Sequence, residues 1–197
     1  MNKTVLKRGI SLLLSLLFIF ACFTACASTP DTPHPVMTYN GDSFYYGMEI
    51  DVEKLLEKYP NTQVSGSSYS INQYVSLILR ETDGKTIVAG YFMTGNVGAK
   101  LNGISIGDSE KKYKSSFPSA ALTGGDATNG YVYAFYYYND KFMSRTKYQQ
   151  YLDAARFEGA EAHQKFLDTV CVSTAISNGT LITNICYGDY NAIYNAR

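Results

Sequence analysis

The chain has no tryptophan, only two histidines and four cysteines, and no excess charge, with 17 basic residues balanced by 17 acidic ones. Each shortage excludes something. Of the two histidines, His34 lies in a Pro-rich stretch and His163 falls on a helical stripe with Phe166, Leu167 and Val170, which reads as the edge of a core. A Ser-His-Asp or Cys-His pair would have to use His163, and no Gly-x-Ser-x-Gly elbow accompanies it. The chain contains no Cys-x-x-Cys, no His-x-x-x-His and no acidic calcium loop, so no metal site is signalled. The glycines at Gly95, Gly98 and Gly124-Gly125-Asp126 follow neither the P-loop nor the dinucleotide pattern and read as turn residues, so no cofactor is implied. Nucleic-acid binding wants clustered Lys and Arg, and a near-neutral chain has no electrostatic reason for it. Carboxylate chemistry leaves no signature. Asp126, Asp140, Glu158, Glu161, Asp168 and Asp189 are candidates only in that any acid is, because paired work needs two carboxyls at a set separation.

What the chain does have begins at its start. Lys3, Lys7 and Arg8 precede an apolar run over residues 10–23, and Thr24-Ala25-Cys26 follows. A basic start, an apolar core of about 7–15 residues and a small-residue end describe a secretory leader. The run is short of the roughly 20 residues that span a bilayer. The ending resembles a bacterial lipoprotein lipobox, with Phe23 where Leu is usual. The resemblance implies removal of residues 1–25 and lipidation of Cys26, leaving the protein exported and held on the outer side of a membrane. The remaining 172 residues carry 14 basic and 17 acidic side chains, a net charge of −3. A lipidated N-terminal Cys carries more than one acyl chain, so the anchor needs no basic patch to assist it. Residues 26–38 hold Pro30, Pro33 and Pro35 and read as a lipidated cysteine and an extended tether.

Beyond the tether, 18 Tyr and 10 Phe favour half-buried sheets. The pattern predicts an α+β fold of two related units, residues 39–98 and 99–197, each an antiparallel sheet with helices on one face. Asp51 caps a helix with the stripe Val52, Leu55, Leu56, Tyr59, and Pro60 ends it. Asp108 or Ser109 caps a second, with Tyr113 and Phe117 buried and Pro118 beyond. Asp83-Gly84 predicts a two-residue hairpin turn pairing Leu79 with Val88, Leu77 with Gly90 and Val75 with Phe92. Thr146-Lys-Tyr-Gln149 resembles a capping box that opens a helical insertion over residues 144–170, broken at Gly159.

Asn178-Gly179 predicts a second two-residue turn, which places Cys171 opposite Cys186. Opposed residues lie about 4.5–5.5 Å apart at Cα, within disulfide range, so a cross-strand disulfide is expected. The alternative is two small reduced residues of the sheet. The strand over residues 131–138 carries rings on both faces. Tyr136 and Tyr138 are either covered by the helices that follow or left as a candidate binding surface.

The segment Gly103-Ile-Ser-Ile-Gly107-Asp-Ser-Glu-Lys-Lys-Tyr-Lys-Ser-Ser-Phe117 resembles the opening of small bacterial lipoproteins of the SmpA/OmlA type, whose helix-on-sheet unit is doubled in the β-lactamase inhibitor protein. The closing segment over residues 182–189 looks like the last strand of uncharacterised Gram-positive lipoproteins. The pattern departs at Pro118, where Gly is usual, and at the insertion. The resemblance implies a non-catalytic envelope module and carries no ligand across; an unknown protein or glycan partner is expected, and no nucleic acid. A hydrolase acting on glycan or cell wall through carboxylates, and an inhibitor or immunity-like protein, are the alternatives. For lipidation, mass spectrometry of protein from the native membrane fraction should show Cys26 as the acylated first residue. Cys26→Ser should move the protein to the soluble fraction, and an unacylated chain that keeps its leader would refute the anchor.

Overall fold

Two tyrosines, Tyr91 and Tyr187, lie opposite each other at the centre of the fold, almost inaccessible to solvent. They mark the seam at which the two halves of the chain join one sheet. The computed structural model describes residues 32–194. The leader and Cys26 lie outside the described residues. The fold is α+β, as the sequence implies.

The first half supplies Met37–Tyr39 (β1), Asp42–Phe44 (β2), the helix Val52–Lys58 (α1), Gln63–Ser65 (β3), Ser68–Asn72 (β4), Val75–Thr82 (β5) and Lys85–Met93 (β6). The second supplies Lys100–Leu101 (β7), the helix Glu110–Ser116 (α2), Ala121–Asp126 (β8), Gly130–Tyr138 (β9) and Lys141–Met143 (β10). It continues with the helices Arg145–Glu158 (α3) and Ala160–Thr169 (α4), the strands Cys171–Ser177 (β11) and Ile182–Asp189 (β12), and the short helix Tyr190–Tyr194 (α5). Nine antiparallel strands run in the order β10-β9-β11-β12-β6-β5-β4-β3, with β8 beside β9, while β2-β1-β7 form a small second sheet. The main core fills one face of the large sheet. There Leu55 and Tyr59 of α1, Tyr113 and Phe117 of α2, and Met37, Phe44 and Leu101 of the small sheet meet Leu77, Tyr91, Phe135 and Tyr187. The insertion helices α3 and α4 cover the opposite face through Tyr148, Leu152 and Phe166.

The two short helices repeat each other in detail. Asp51 and Ser109 each accept a hydrogen bond from the backbone N–H three residues on. Tyr59 and Phe117 each close the last turn with their own N–H. Helix α3 starts earlier than the capping-box reading of Thr146 suggests, because Ser144 is the residue that caps it.

The Asp83-Gly84 turn forms as expected, with φ of 51° and 73°, and Leu79 pairs with Val88. A bulge between Ile78 and Leu79 then shifts the register by one. Leu77 faces Tyr91 rather than Gly90, and Val75 faces Met93 rather than Phe92.

The Asn178-Gly179 turn does not form, and the predicted disulfide goes with it. The intended turn type needs positive φ at both central residues, and of the two only Gly179 has it, at 95°. Instead Asn178 Oδ1 accepts from the N–H groups of Thr180 and Leu181, making a wider loop. Tertiary bonds hold that loop open: Gly107 N–H donates to Ile182, Ile182 N–H to Asp108 and Glu110 N–H to Thr180. The register moves by three, so Cys171 pairs with Asp189 and Cys186 with Thr174. An odd shift puts the two cysteines on opposite faces of the sheet. Both are free and buried. Cys171 enters the main core, and Cys186 Sγ lies 2.8 Å from Thr174 Oγ1.

At the seam, Gly90 lies opposite Gly188. A Cβ on Gly188 would stand 2.5 Å from the Ala89 oxygen and 2.6 Å from Gly90 Cα. Only a bare backbone fits there, because α5 also closes over the pair through Ala192, 3.4 Å from a Cβ built on Gly90. Gly188→Ala should therefore cost about 1–3 kcal/mol, the usual penalty for overpacking, read as a lower urea midpoint with an unchanged slope. An unchanged midpoint would show that the seam tolerates a side chain.

Candidate functional site

Two places in the fold gather chemistry: a cluster beneath the N-terminal strap, and a cleft under the insertion helices. The strap is the end of the stretch read from sequence as a tether. From Thr32 onward it belongs to the folded body. Pro35 is buried and its carbonyl accepts from the Tyr91 hydroxyl at 2.6 Å. Val36 exchanges two bonds with Asn102, donating to its side chain and accepting from its backbone N–H. The His34 ring sits among Tyr46, Tyr137 and Tyr187, with centroids 4.9, 4.4 and 6.0 Å away, and its Nδ1 is 2.6 Å from the Tyr187 hydroxyl. The strap thus supplies a partner to each buried seam tyrosine, and the Tyr187 hydroxyl also meets the Cys171 thiol.

Next to this cluster, the fully buried Asp189 accepts from Arg80 at 2.6 Å and from the Ala192 N–H at 2.7 Å, which caps α5. Arg80 also reaches the Tyr46 hydroxyl at 3.4 Å. Burial pushes Asp189 above the usual carboxylate range, Tyr46 up to about 12 and the Cys171 thiol well up. These are bonds that hold the end of β12 against β5. A thiol raised by burial is a poor nucleophile.

The remaining acids named from sequence do not pair for catalysis. Asp126 holds the β8–β9 turn through Thr128 and Asn129. Asp140 follows Asn139 in another turn and accepts from Tyr137 at 3.3 Å. Asp168 accepts from Gln164 and Asn191. Glu161 is an exposed first-turn residue of α4. A group that sequence reasoning missed joins Glu110 to Ser177, Tyr133 and Lys114. Ser177 is fully buried there, and this network fastens α2 to the sheet. Among the described residues no three His, Cys, Asp or Glu side chains gather as a metal site would require.

The cleft is built from a break. Helices α3 and α4 are separated by Gly159 alone, at φ 122°, whose N–H closes α3 on Ala155 and Arg156. Few residues other than glycine adopt that angle, so the chain turns there and the helices diverge. Between them lies a cavity of about 510 Å³, lined by Tyr138, Asn139, Tyr151, Ala154, Ala155, Glu158, Ala162, Lys165, Phe166 and Thr169. Its depth comes from the three alanines. Its wall is aromatic: Tyr138 packs against Tyr151 at 5.3 Å and edge-on to Phe166 at 5.0 Å. The candidate surface of Tyr136 and Tyr138 is accordingly divided. Tyr136 is 9 % exposed and stacks on Tyr148 with centroids 4.0 Å apart, so it is core rather than surface. Tyr138 reaches the cleft. His163 lies on α4, and its Nε2 is buried without a partner among the described residues.

The polar groups around the cleft stand at its solvent-exposed rim. The Tyr138 and Tyr151 hydroxyls and the heads of Asn139, Glu158 and Lys165 make no hydrogen bond or ion pair among the described residues. The hydroxyls of the core tyrosines Tyr59, Tyr91, Tyr133 and Tyr187 are bonded within the fold. Comparison with family models, with curated proteins and with solved structures yields no match for this chain.

The strap gives a pH prediction. Burial holds His34 below its ordinary 6.5, partly offset by the Asp140 charge. A base depressed in the fold binds fewer protons there than in the unfolded chain, so stability rises with pH. Its contribution is complete above 6.5 and is lost as pH falls through the lower folded value. Asp189, raised in the fold, acts in the opposite sense. Urea unfolding should therefore show the native chain losing stability from pH 7.5 to 5 relative to His34→Gln. Parallel profiles would remove His34 as the cause.

Proposed function

We propose that the protein is an exported, lipid-anchored binding module that holds a small ligand in the α3–α4 cleft and does not transform it. The observation that supports this most is the cleft itself: a ligand-sized cavity with aromatic walls, ringed by hydrogen-bonding groups that the fold leaves unused. Ligand sites usually occupy about 300–1,000 Å³, with apolar walls and a few convergent polar groups. Export and anchoring at Cys26 rest on the basic start, the apolar run and the small residues before the cysteine.

The alternatives have less behind them. A two-carboxylate hydrolase needs two acids across one cleft, and Glu158 is the one acid among the residues lining this one. An inhibitor presenting Tyr136 and Tyr138 would need both rings on an open surface, whereas Tyr136 is covered by α3.

A thermal-shift screen of the mature domain against saccharides, peptides, amino acids and lipid headgroups tests the proposal. A ligand at 100 times its Kd stabilises by about 2.7 kcal/mol, which raises Tm by several degrees. The rise should vanish in Tyr151→Ala, and mass spectrometry should recover the ligand unchanged. Turnover that disappears in Glu158→Gln would overturn the binding-only reading.

A further inference from the structure

From the chemistry of the cleft we infer that its ligand is an uncharged saccharide; this rests on the binding-module reading above. Three features of the lining carry the inference together. The first is the pairing of ring surfaces with hydroxyl-seeking groups. Tyr138 and Tyr151 offer ring surface suited to the C–H face of a sugar ring, with Phe166 buried behind them and Lys147 Nζ over the Tyr151 ring at 5.4 Å. Around them stand two phenol hydroxyls, an amide, a carboxylate and an ammonium, none of them bonded within the described residues. A ring bearing many hydroxyl groups can donate and accept in such a set, and a purely apolar ligand would leave all five unpaired on burial.

The second feature is charge balance. Glu158 and Lys165 are the charged residues in the lining, one of each sign. An anionic ligand gains at Lys165 what it loses at Glu158, and a cationic ligand the reverse. An uncharged ligand meets no such conflict and can bond to both heads. The third is the absence of a peptide-binding edge. The walls are helices α3 and α4 and the last residue of β9, Tyr138, which pairs with Lys141 of β10. Among the described residues, a single strand residue lines the cleft, too short an edge for β-augmentation, the usual source of affinity for extended peptides.

The small residues suit the same role. Ala154 is exposed at the rim and Ala162 half-buried on the facing helix, so the cavity persists because neither side chain fills it. That supplies a blocking variant that does not disturb the core, since a larger side chain at Ala154 projects into the cleft from the solvent side.

The test uses the mature chain, NMR shift mapping and titration calorimetry. The probes are tri-N-acetylglucosamine and maltotriose (uncharged), trigalacturonate (anionic) and trialanine (a zwitterionic peptide). At least one uncharged trisaccharide should shift the resonances of Tyr138, Tyr151, Ala154, Ala162 and Lys165. Tyr151→Ala and Ala154→Phe should each weaken it at least tenfold, with circular dichroism unchanged. Saccharide binding that both variants leave intact would overturn the site. Trialanine or trigalacturonate shifting the cleft while the uncharged sugars do not would overturn the ligand class and leave the binding-module reading standing. No shift with any uncharged probe would also refute the inference, and the function would then rest on the thermal-shift screen alone.

Discussion

Four residue pairs, from Ile185–Met93 to Gly188–Gly90, join the sheet of the first half to that of the second. That short ladder is the constraint on which the remaining structure depends. It demands glycine facing glycine at one end, because backbone meets backbone at distances that leave no room for a Cβ. It buries two tyrosines side by side, 5.7 Å between centroids, whose hydroxyls must then find partners. The strap provides them, through His34 and Pro35. Beyond the ladder's end, residues 47–50 take over the same edge of β6, with Glu49 bridging Ile87 and Gly47 N–H donating to Val88. The bulge in the β5–β6 pairing falls where one neighbour gives way to the other.

Turn chemistry was the most legible part of the fold, and also where sequence reasoning failed most instructively. Asp83-Gly84 behaves as its residues suggest, because nothing but the hairpin itself acts on it. Three further tight turns, Asn40-Gly41, Asn102-Gly103 and Asn139-Asp140, have positive φ at both positions and went unread. The first two carry the same Asn-Gly signal as Asn178-Gly179, where it fails. The difference is tertiary: the chain from Gly107 to Glu110 bonds to the Asn178 loop and holds it wide. Local turn propensity is weak, and three backbone hydrogen bonds from the neighbouring segment, at about 0.5–1.5 kcal/mol each, together outweigh it. The same three-residue slip separates Cys171 from Cys186, so an error in one turn propagated into the chemistry assigned to the sheet.

The helices were legible where an apolar stripe and a cap agree, as in α1 and α2. The rings on both faces of β9 were legible too, since period-two alternation sends Tyr133, Phe135 and Tyr137 to one core and Ala134 and Tyr136 to the other. The cleft was not. It is made by what is small or missing: alanines that leave space, and one glycine that lets two helices part. Such positions carry no motif, and their meaning appears only when the facing surfaces are placed together. The Ser177–Glu110 contact was hidden for a related reason, because it joins residues 67 apart in sequence.

The docking of His34 has a mechanical consequence for a chain anchored at Cys26. Only seven residues lie between the two, eight Cα-to-Cα steps that span at most about 26–29 Å when fully extended. The body would hang within roughly one bilayer thickness of the surface, closer than a spacer running to residue 38 would allow. Tension on the anchor would enter the domain at His34 and Pro35, and so load the paired tyrosines where the halves meet. Force would then bear on the ladder that joins the two halves of the sheet.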